Sequence, residues 1–139
     1  MSDEQPTRVT ADGMTRLGTD IFTRAGARPE EAEAISANLV NSNLSGHDSH
    51  GVVRIPRYLM WERTGNLSFG QSAKVVTDGG NFALVDGNRG FGQVVGREAV
   101  DLGIAKARDT GLAIVALRCA GHLGRIGFWA ERACDAGLV

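Results

Sequence analysis

Residues 82–124 read FALVDGNRGFGQVVGREAVDLGIAKARDTGLAIVALRCAGHLG, and this run decides the fold class. Phe82–Val85 is a short strand candidate, paired with Ala73–Val76 through the turn-forming Asp78-Gly79-Gly80-Asn81 as a hairpin. After GNRGFGQ, the residues Val95, Ala99, Leu102 and Ala105 recur at helical spacing and predict one buried helix face. Leu112–Leu117 is almost continuously apolar, the pattern of a strand buried on both faces. A loop, Cys119–Gly124, follows, and then a helix from about Arg125 to Ala136 that Gly137 closes. Strands and helices alternate, which predicts a mixed α/β fold.

Upstream of this run the chain reads helical. Thr10 can cap a helix whose apolar stripe is Met14, Leu17 and Ile21, and Gly26 can end it. Pro29 suits the first position of a second helix, with Glu30, Glu31 and Glu33 near its positive end. Ala32, Ile35 and Leu39 give that helix its buried stripe. A third helix is expected over LSGHDSHGVVRIPRY, residues 44–58, ending near Thr64-Gly65. Pro56 deletes a backbone hydrogen bond there, so a kink, or a start later than Ser49, is expected. The predicted division is a helical segment, 1–72, and the beginning of an α/β domain, 73–139. With only two or three strands and unpaired edges, the sheet reads as incomplete, and the chain as the N-terminal part of a longer protein.

Composition narrows the function classes. A net charge of −1 over 139 residues provides no field to attract nucleic acid or an anionic membrane. No apolar run approaches the ~20 residues that span a bilayer. The N-terminus, MSDEQPTRVT, is acidic and lacks the apolar core of a secretory signal. Two cysteines, Cys119 and Cys134, form no disulfide framework, and a cytoplasmic location is expected. Cys119 reads as a buried spacer rather than a nucleophile.

The chemistry-bearing residues gather in two places. If a helix follows Ser49, then His50, Arg54 and Tyr58 recur every fourth residue on one face, with Val52, Ile55, Leu59 and Met60 behind them. An imidazole, a guanidinium and a phenol on one face suit a small carboxylate-bearing ligand, because the planar guanidinium can grip a carboxylate through two bonds. Ser49 reads as an N-cap that could also touch the ligand, and Tyr58 could equally cover the core with its ring. His122, between a buried strand and a helix, occupies the position where α/β proteins place ligand-facing groups. Alone it reads equally well as a packing histidine; beside residues 44–58 it reads as functional. The positive end of the following helix is expected to favour its neutral form, which can accept a proton. His47 reads as a loop residue, and no third ligand stands near His47 and His50 to make a metal site. Arg54 and Arg57 are too few for a nucleic-acid patch. The glycines of 87–92 match neither the P-loop nor the dinucleotide fingerprint, so that stretch reads as a turn feeding the next helix.

Three blocks, GHDSHGVVRIPRY, DGNRGFGQVVGREAVDLGIAKARDTGLAIVAL and GHLGRIGFWAERACDAGLV, together resemble the malate/L-lactate dehydrogenase family. This group is separate from the Rossmann-type lactate and malate dehydrogenases and includes ureidoglycolate and sulfolactate dehydrogenases. The resemblance implies an oxidoreductase using NAD or NADP on 2-hydroxy acids or their 2-oxo counterparts. It also implies a mixed α/β fold with a non-Rossmann cofactor domain, and a homodimer at full length. By the same resemblance His122 is the proton-transferring group. Ser49, His50, Arg54 and Tyr58 take substrate-side positions, and no residue is assigned to the cofactor. Gly121 and Leu123 stand where the family often has Asn and Phe, which leaves the particular acid unassigned. A second reading, motivated by the chain's length alone, is a catalytically inactive carboxylate-binding or interaction module.

Overall fold

The computed structural model describes residues 8–139. The acidic stretch read as no secretory signal lies largely outside the described residues. The order of elements is α1 (Ala11–Arg24), α2 (Pro29–Leu44), two short 3-10 turns (Asp48–His50 and Val52–Arg54), α3 (Ile55–Arg63), β1 (Lys74–Asp78), β2 (Phe82–Asp86), α4 (Gly92–Thr110), β3 (Ile114–Arg118) and α5 (Gly127–Asp135). The fold is mixed α/β. Among the described residues no helix is long and apolar enough to cross a membrane.

Local chemistry explains the helix ends. The Thr10 hydroxyl accepts from the Gly13 amide at 3.1 Å and caps α1. Pro29 occupies the first turn of α2, where its missing N–H costs nothing. Gly26, Gly65, Gly111 and Gly137 follow α1, α3, α4 and α5 with positive φ, the conformation that stops a helix most cheaply at glycine. The third helix begins only at Ile55, with Pro56 in its first turn. The expected later start is therefore what occurs, and the chain crosses from α2 to α3 on two tight turns. Asn43 stabilises them: its carbonyl accepts from the Val52 amide at 2.9 Å, and its amide donates to Asp48 at 2.6 Å.

The α1 stripe differs from the expectation. Leu17 is 51% exposed, whereas Phe22 is fully buried and Gly18 is buried beside it. A β-carbon on Gly18 would lie 2.8 Å from the Ser36 hydroxyl, so α1 and α2 cross at two small residues. Hydropathy gives a glycine no weight, and the face was assigned to larger neighbours instead. On α2, Ala32, Ile35 and Leu39 are buried as expected. Glu31 is not a solvated end charge; it is 2% exposed and accepts from the Gly70 amide at 2.8 Å. Desolvation outweighs that bond and raises its pKa.

The sheet order is β1-β2-β3. β1 and β2 form the expected antiparallel hairpin, with a bulge between Val75 and Thr77. β2 and β3 are parallel, pairing Ala83 with Val115 and Val85 with Leu117. The crossover between them is α4, which buries Val94, Val95 and Ala99 but leaves Ala105 exposed. β3 was expected to be buried on both faces. Among the described residues it is an edge strand with no neighbour beyond it, with Ile114 exposed and Val115 and Leu117 half-buried. Cys119 is likewise exposed, not a buried spacer, and has a φ of 51°.

One aromatic core links the helical and α/β parts. Phe22 meets Phe69, Phe91 and Tyr58 at centroid separations of 6.3–6.5 Å, and Phe69 stacks on Phe91 at 4.6 Å. These are favourable offset or edge contacts. They anchor α1 and α3 to the start of α4, and so fix the ring of Tyr58 relative to the loop after β3.

Candidate active site

The loop between β3 and α5 is stitched to the glycine turn before α4. Gly87 donates to Arg118 at 2.8 Å, Arg89 to Cys119 at 2.6 Å, and Gly121 to Gly90 at 2.8 Å, all through main chain. Side chains would prevent this contact: a β-carbon on Gly92 would lie 2.3 Å from the His122 carbonyl oxygen, and one on Gly121 would lie 3.0 Å from the Gly90 oxygen. The glycines of 87–92 thus form a seam of backbone against backbone. The seam sets the position of His122.

His122 is half-buried against residues from three other elements. Its Nδ1 lies 2.9 Å from the Tyr58 hydroxyl and accepts from the Gly124 amide at 3.2 Å. Its ring centroid is 5.2 Å from that of His50. The Ser49 hydroxyl lies 2.9 Å from His50 Nδ1, and Arg54 Nε donates to the Ser49 carbonyl at 2.6 Å. Arg54 pairs with no carboxylate among the described residues, which leaves its terminal nitrogens for an external anion. All five sequence-predicted site residues therefore belong to one continuous cluster.

Three details differ from the sequence reading. Ser49 is inside the first 3-10 turn and bonds His50 rather than capping a helix. Tyr58 does not share an open face with Arg54; its ring is 1% exposed in the core, and only its hydroxyl reaches the cluster. Met60, placed among the apolar backing residues, is exposed. The early turns change the angular spacing of His50, Arg54 and Tyr58, so continuous helical geometry does not apply across them.

The electrostatics favour neutral imidazole. Burial, then the Arg54 charge, then His50, lower the His122 pKa. The expected direction holds, with desolvation as its largest cause and the Arg54 charge next. Burial raises the Tyr58 pKa, opposed by its bond from Gln93 and by Arg54, so the phenol keeps its proton. Gln93 was missed by sequence reasoning: its amide donates to the Tyr58 hydroxyl at 2.9 Å. A lone polar residue in the buried run Gly92–Gly96 was the available signal. Asn43, which holds the two turns, gave no comparable signal.

Away from this cluster, a groove of about 730 Å³ lies between α4, β3 and α5. Its lining includes Ile104, Val115, Leu117 and Trp129 and carries no acid, base or guanidinium, so it does not offer this chemistry.

The sequence profile of malate/L-lactate dehydrogenases matches residues 9–139. The chain belongs to the malate/L-lactate dehydrogenase family. It is 44% identical over 119 residues to hydroxycarboxylate dehydrogenase B of Escherichia coli, covering 86% of this chain and 33% of that protein. It is 37% identical over 137 residues to a malate dehydrogenase of Pyrococcus abyssi, covering 99% of this chain and 38% of the relative. Among solved structures, a putative malate/lactate dehydrogenase from E. coli superposes with a TM-score of 0.92 at 39% identity, over 95% of this chain and 37% of that one. The chain thus spans between a third and two fifths of the length of the curated relatives it matches.

Proposed function

We propose that this chain forms the substrate-side part of an NAD(P)-dependent oxidoreductase that interconverts a 2-hydroxy acid and a 2-oxo acid. One observation supports this above the others: His122 lies against Tyr58 and His50, from a distant part of the chain, with the Arg54 charge acting on it. Oxidising a secondary alcohol requires a base for the hydroxyl proton, and the reverse reaction requires the corresponding acid. His122 Nε2, without a protein partner among the described residues, exchanges that proton with the substrate oxygen. Arg54 anchors the substrate carboxylate through its terminal nitrogens, and its Nε bond to Ser49 holds the guanidinium plane. Ser49 and His50 complete the polar wall beside it. Tyr58 presents its hydroxyl to the back of the imidazole.

The glycine turn 87–92 does not fit the phosphates of a dinucleotide. This turn, the feature nearest to a phosphate cradle, is filled by the loop carrying His122. No residue is assigned to NAD or NADP, and the nicotinamide enters this proposal through the family alone. The same reading includes a homodimeric, cytoplasmic whole protein, supported by the family resemblance and, for location, by two free cysteines.

The test expresses the whole reading frame and measures reduction of pyruvate, oxaloacetate and sulfopyruvate with NADH and with NADPH. The expected result is turnover of at least one acid, with a loss of at least about a hundredfold in His122→Ala, the scale of a general acid–base group. A folded protein that turns over none of these acids, or His122→Ala at wild-type rate, refutes the proposal. Binding without turnover favours a carboxylate-binding module.

A further inference from the structure

The Tyr58 hydroxyl lies between two partners, His122 Nδ1 and Gln93 Nε2, each at 2.9 Å. Gln93 is 3% exposed, and its carbonyl oxygen has no partner among the described residues. The Gly124 amide can only donate, and it points at His122 Nδ1. The donors therefore run in one direction: Gln93 to Tyr58, then Tyr58 and Gly124 to Nδ1. In that arrangement Nδ1 holds a lone pair and the single proton of neutral imidazole is on Nε2.

Such a ring cannot act as a base at Nε2. A lone pair there requires the proton on Nδ1, and imidazolium requires protons on both nitrogens. In either case Nδ1–H must donate to the Tyr58 oxygen, the Gly124 amide gives up Nδ1 as its acceptor, and the Tyr58 O–H must turn to another acceptor. The buried Gln93 carbonyl becomes that acceptor when the amide turns over by half a rotation, which exchanges two groups of similar size. The turn breaks no carbonyl bond, because that oxygen has none. Asn38, whose side-chain oxygen and nitrogen are also unpartnered, borders the same Gly124 backbone as Gln93.

We propose that Gln93, acting through the Tyr58 hydroxyl, is a positioning residue that selects which ring nitrogen of His122 carries the proton. With its NH2 group toward Tyr58 it holds the resting Nε2–H form. With its carbonyl toward Tyr58 it holds the Nδ1–H form, whose Nε2 can take a proton from a hydroxyl and later return it. During the switch Tyr58 keeps its proton and only rotates. The ring loses the Nε2 proton to water and gains one from water at Nδ1, so charge and proton count are conserved. The other groups facing His122 are His50 from the first 3-10 turn and Arg54 from the second; Arg125, further along the loop, is turned to Glu131 and Asn41. The catalytic meaning of this switch rests on the proposed proton exchange at His122, but the position of the ring proton is measurable without turnover.

The experiment is a pH titration of the chain, 15N-labelled at its three histidines, with nitrogen shifts assigned through His47→Gln and His122→Gln. Unperturbed tryptophan indole signals serve as the check of fold. Wild type is expected to show neutral His122 as the Nε2–H form. Gln93→Glu, an acceptor, should convert it to Nδ1–H and raise its protonation constant by about tenfold or more. Gln93→Met, which offers Tyr58 no acceptor, should lower that constant. A merely structural role for Gln93 would not move the two variants in opposite directions. In a Tyr58→Phe background, Gln93→Glu should leave the tautomer unchanged. Nδ1–H in the wild type, no change in Gln93→Met, Nε2–H persisting in folded Gln93→Glu, or an effect that survives Tyr58→Phe overturns the proposal. The predicted titrations together with full turnover by His122→Ala would instead refute the proposed function and leave the switch standing.

Discussion

Substitution of Gly92 by alanine tests the seam that carries His122. A β-carbon there would lie 2.3 Å from the His122 carbonyl oxygen, 2.6 Å from its carbonyl carbon and 2.7 Å from the Gly121 oxygen. Non-bonded carbon and oxygen rest at roughly 3.3–3.6 Å, so the two segments must separate by about 1 Å. All three neighbours are main-chain atoms, and no side-chain rotation relieves the contact. Overpacking of this kind costs about 1–3 kcal/mol. Weakening the Gly121–Gly90 and Arg89–Cys119 backbone bonds adds about 0.5–1.5 kcal/mol each. The expected loss is therefore about 2–6 kcal/mol, a large part of the roughly 5–15 kcal/mol that stabilises an ordinary domain. The same movement would stretch the 2.9 Å His122–Tyr58 contact to about 3.9 Å, beyond hydrogen-bonding range. Urea unfolding followed by tryptophan fluorescence measures the stability change. Gly103→Ala, in the same helix, provides the contrast: its β-carbon meets only Val115 Cγ2, at an ordinary 3.4 Å, and should stabilise by about 0.5–1 kcal/mol. A Gly92→Ala chain within about 0.5 kcal/mol of wild type, inside the usual range of surface changes, would refute the seam as the element that positions His122.

Phe22→Ala should cost about 3–5 kcal/mol, because the ring is fully buried among three aromatic neighbours. Leu17→Ala, at an exposed position, should cost less than about 1 kcal/mol; equal urea midpoints for the two would reject the observed α1 face. Glu31→Gln should raise the urea midpoint at pH 7 and raise it less at pH 4. The folded carboxyl has a raised pKa, so its contribution is fully favourable below the unfolded value and is lost as pH rises through the folded one; a stabilisation equal at both pH values would show that burial of its charge is not the cause. Arg54→Lys keeps the charge but loses the planar fork, and should raise the KM for the proposed 2-oxo acid substrate of the whole protein about tenfold or more, from the loss of a charge-assisted bond worth about 1.5–3 kcal/mol. An unchanged KM would remove Arg54 from the carboxylate site.

How much of this was readable in advance depends on the range of the determining interaction. Helix stops at Gly26, Gly65 and Gly137, the cap at Thr10 and the hairpin between β1 and β2 are local, and the local pattern specified them. The α1 face depended on Gly18 meeting Ser36 across a helix pair, which no hydropathy period records. Site residues stood out because histidine and tyrosine are rare here and carry distinctive chemistry. Gln93 did not, since the side-chain partner it has among the described residues is a hydroxyl 35 residues earlier in the chain. The glycine turn shows the limit most clearly. A loop that cradles a phosphate and a loop that cradles another backbone need the same thing from the sequence, the absence of a β-carbon. What separates them is the occupant of the space, and here the occupant is the main chain of Gly121 and His122. The glycines therefore bear on the candidate site through a side chain they do not carry: by admitting that loop, they set where the imidazole meets Tyr58.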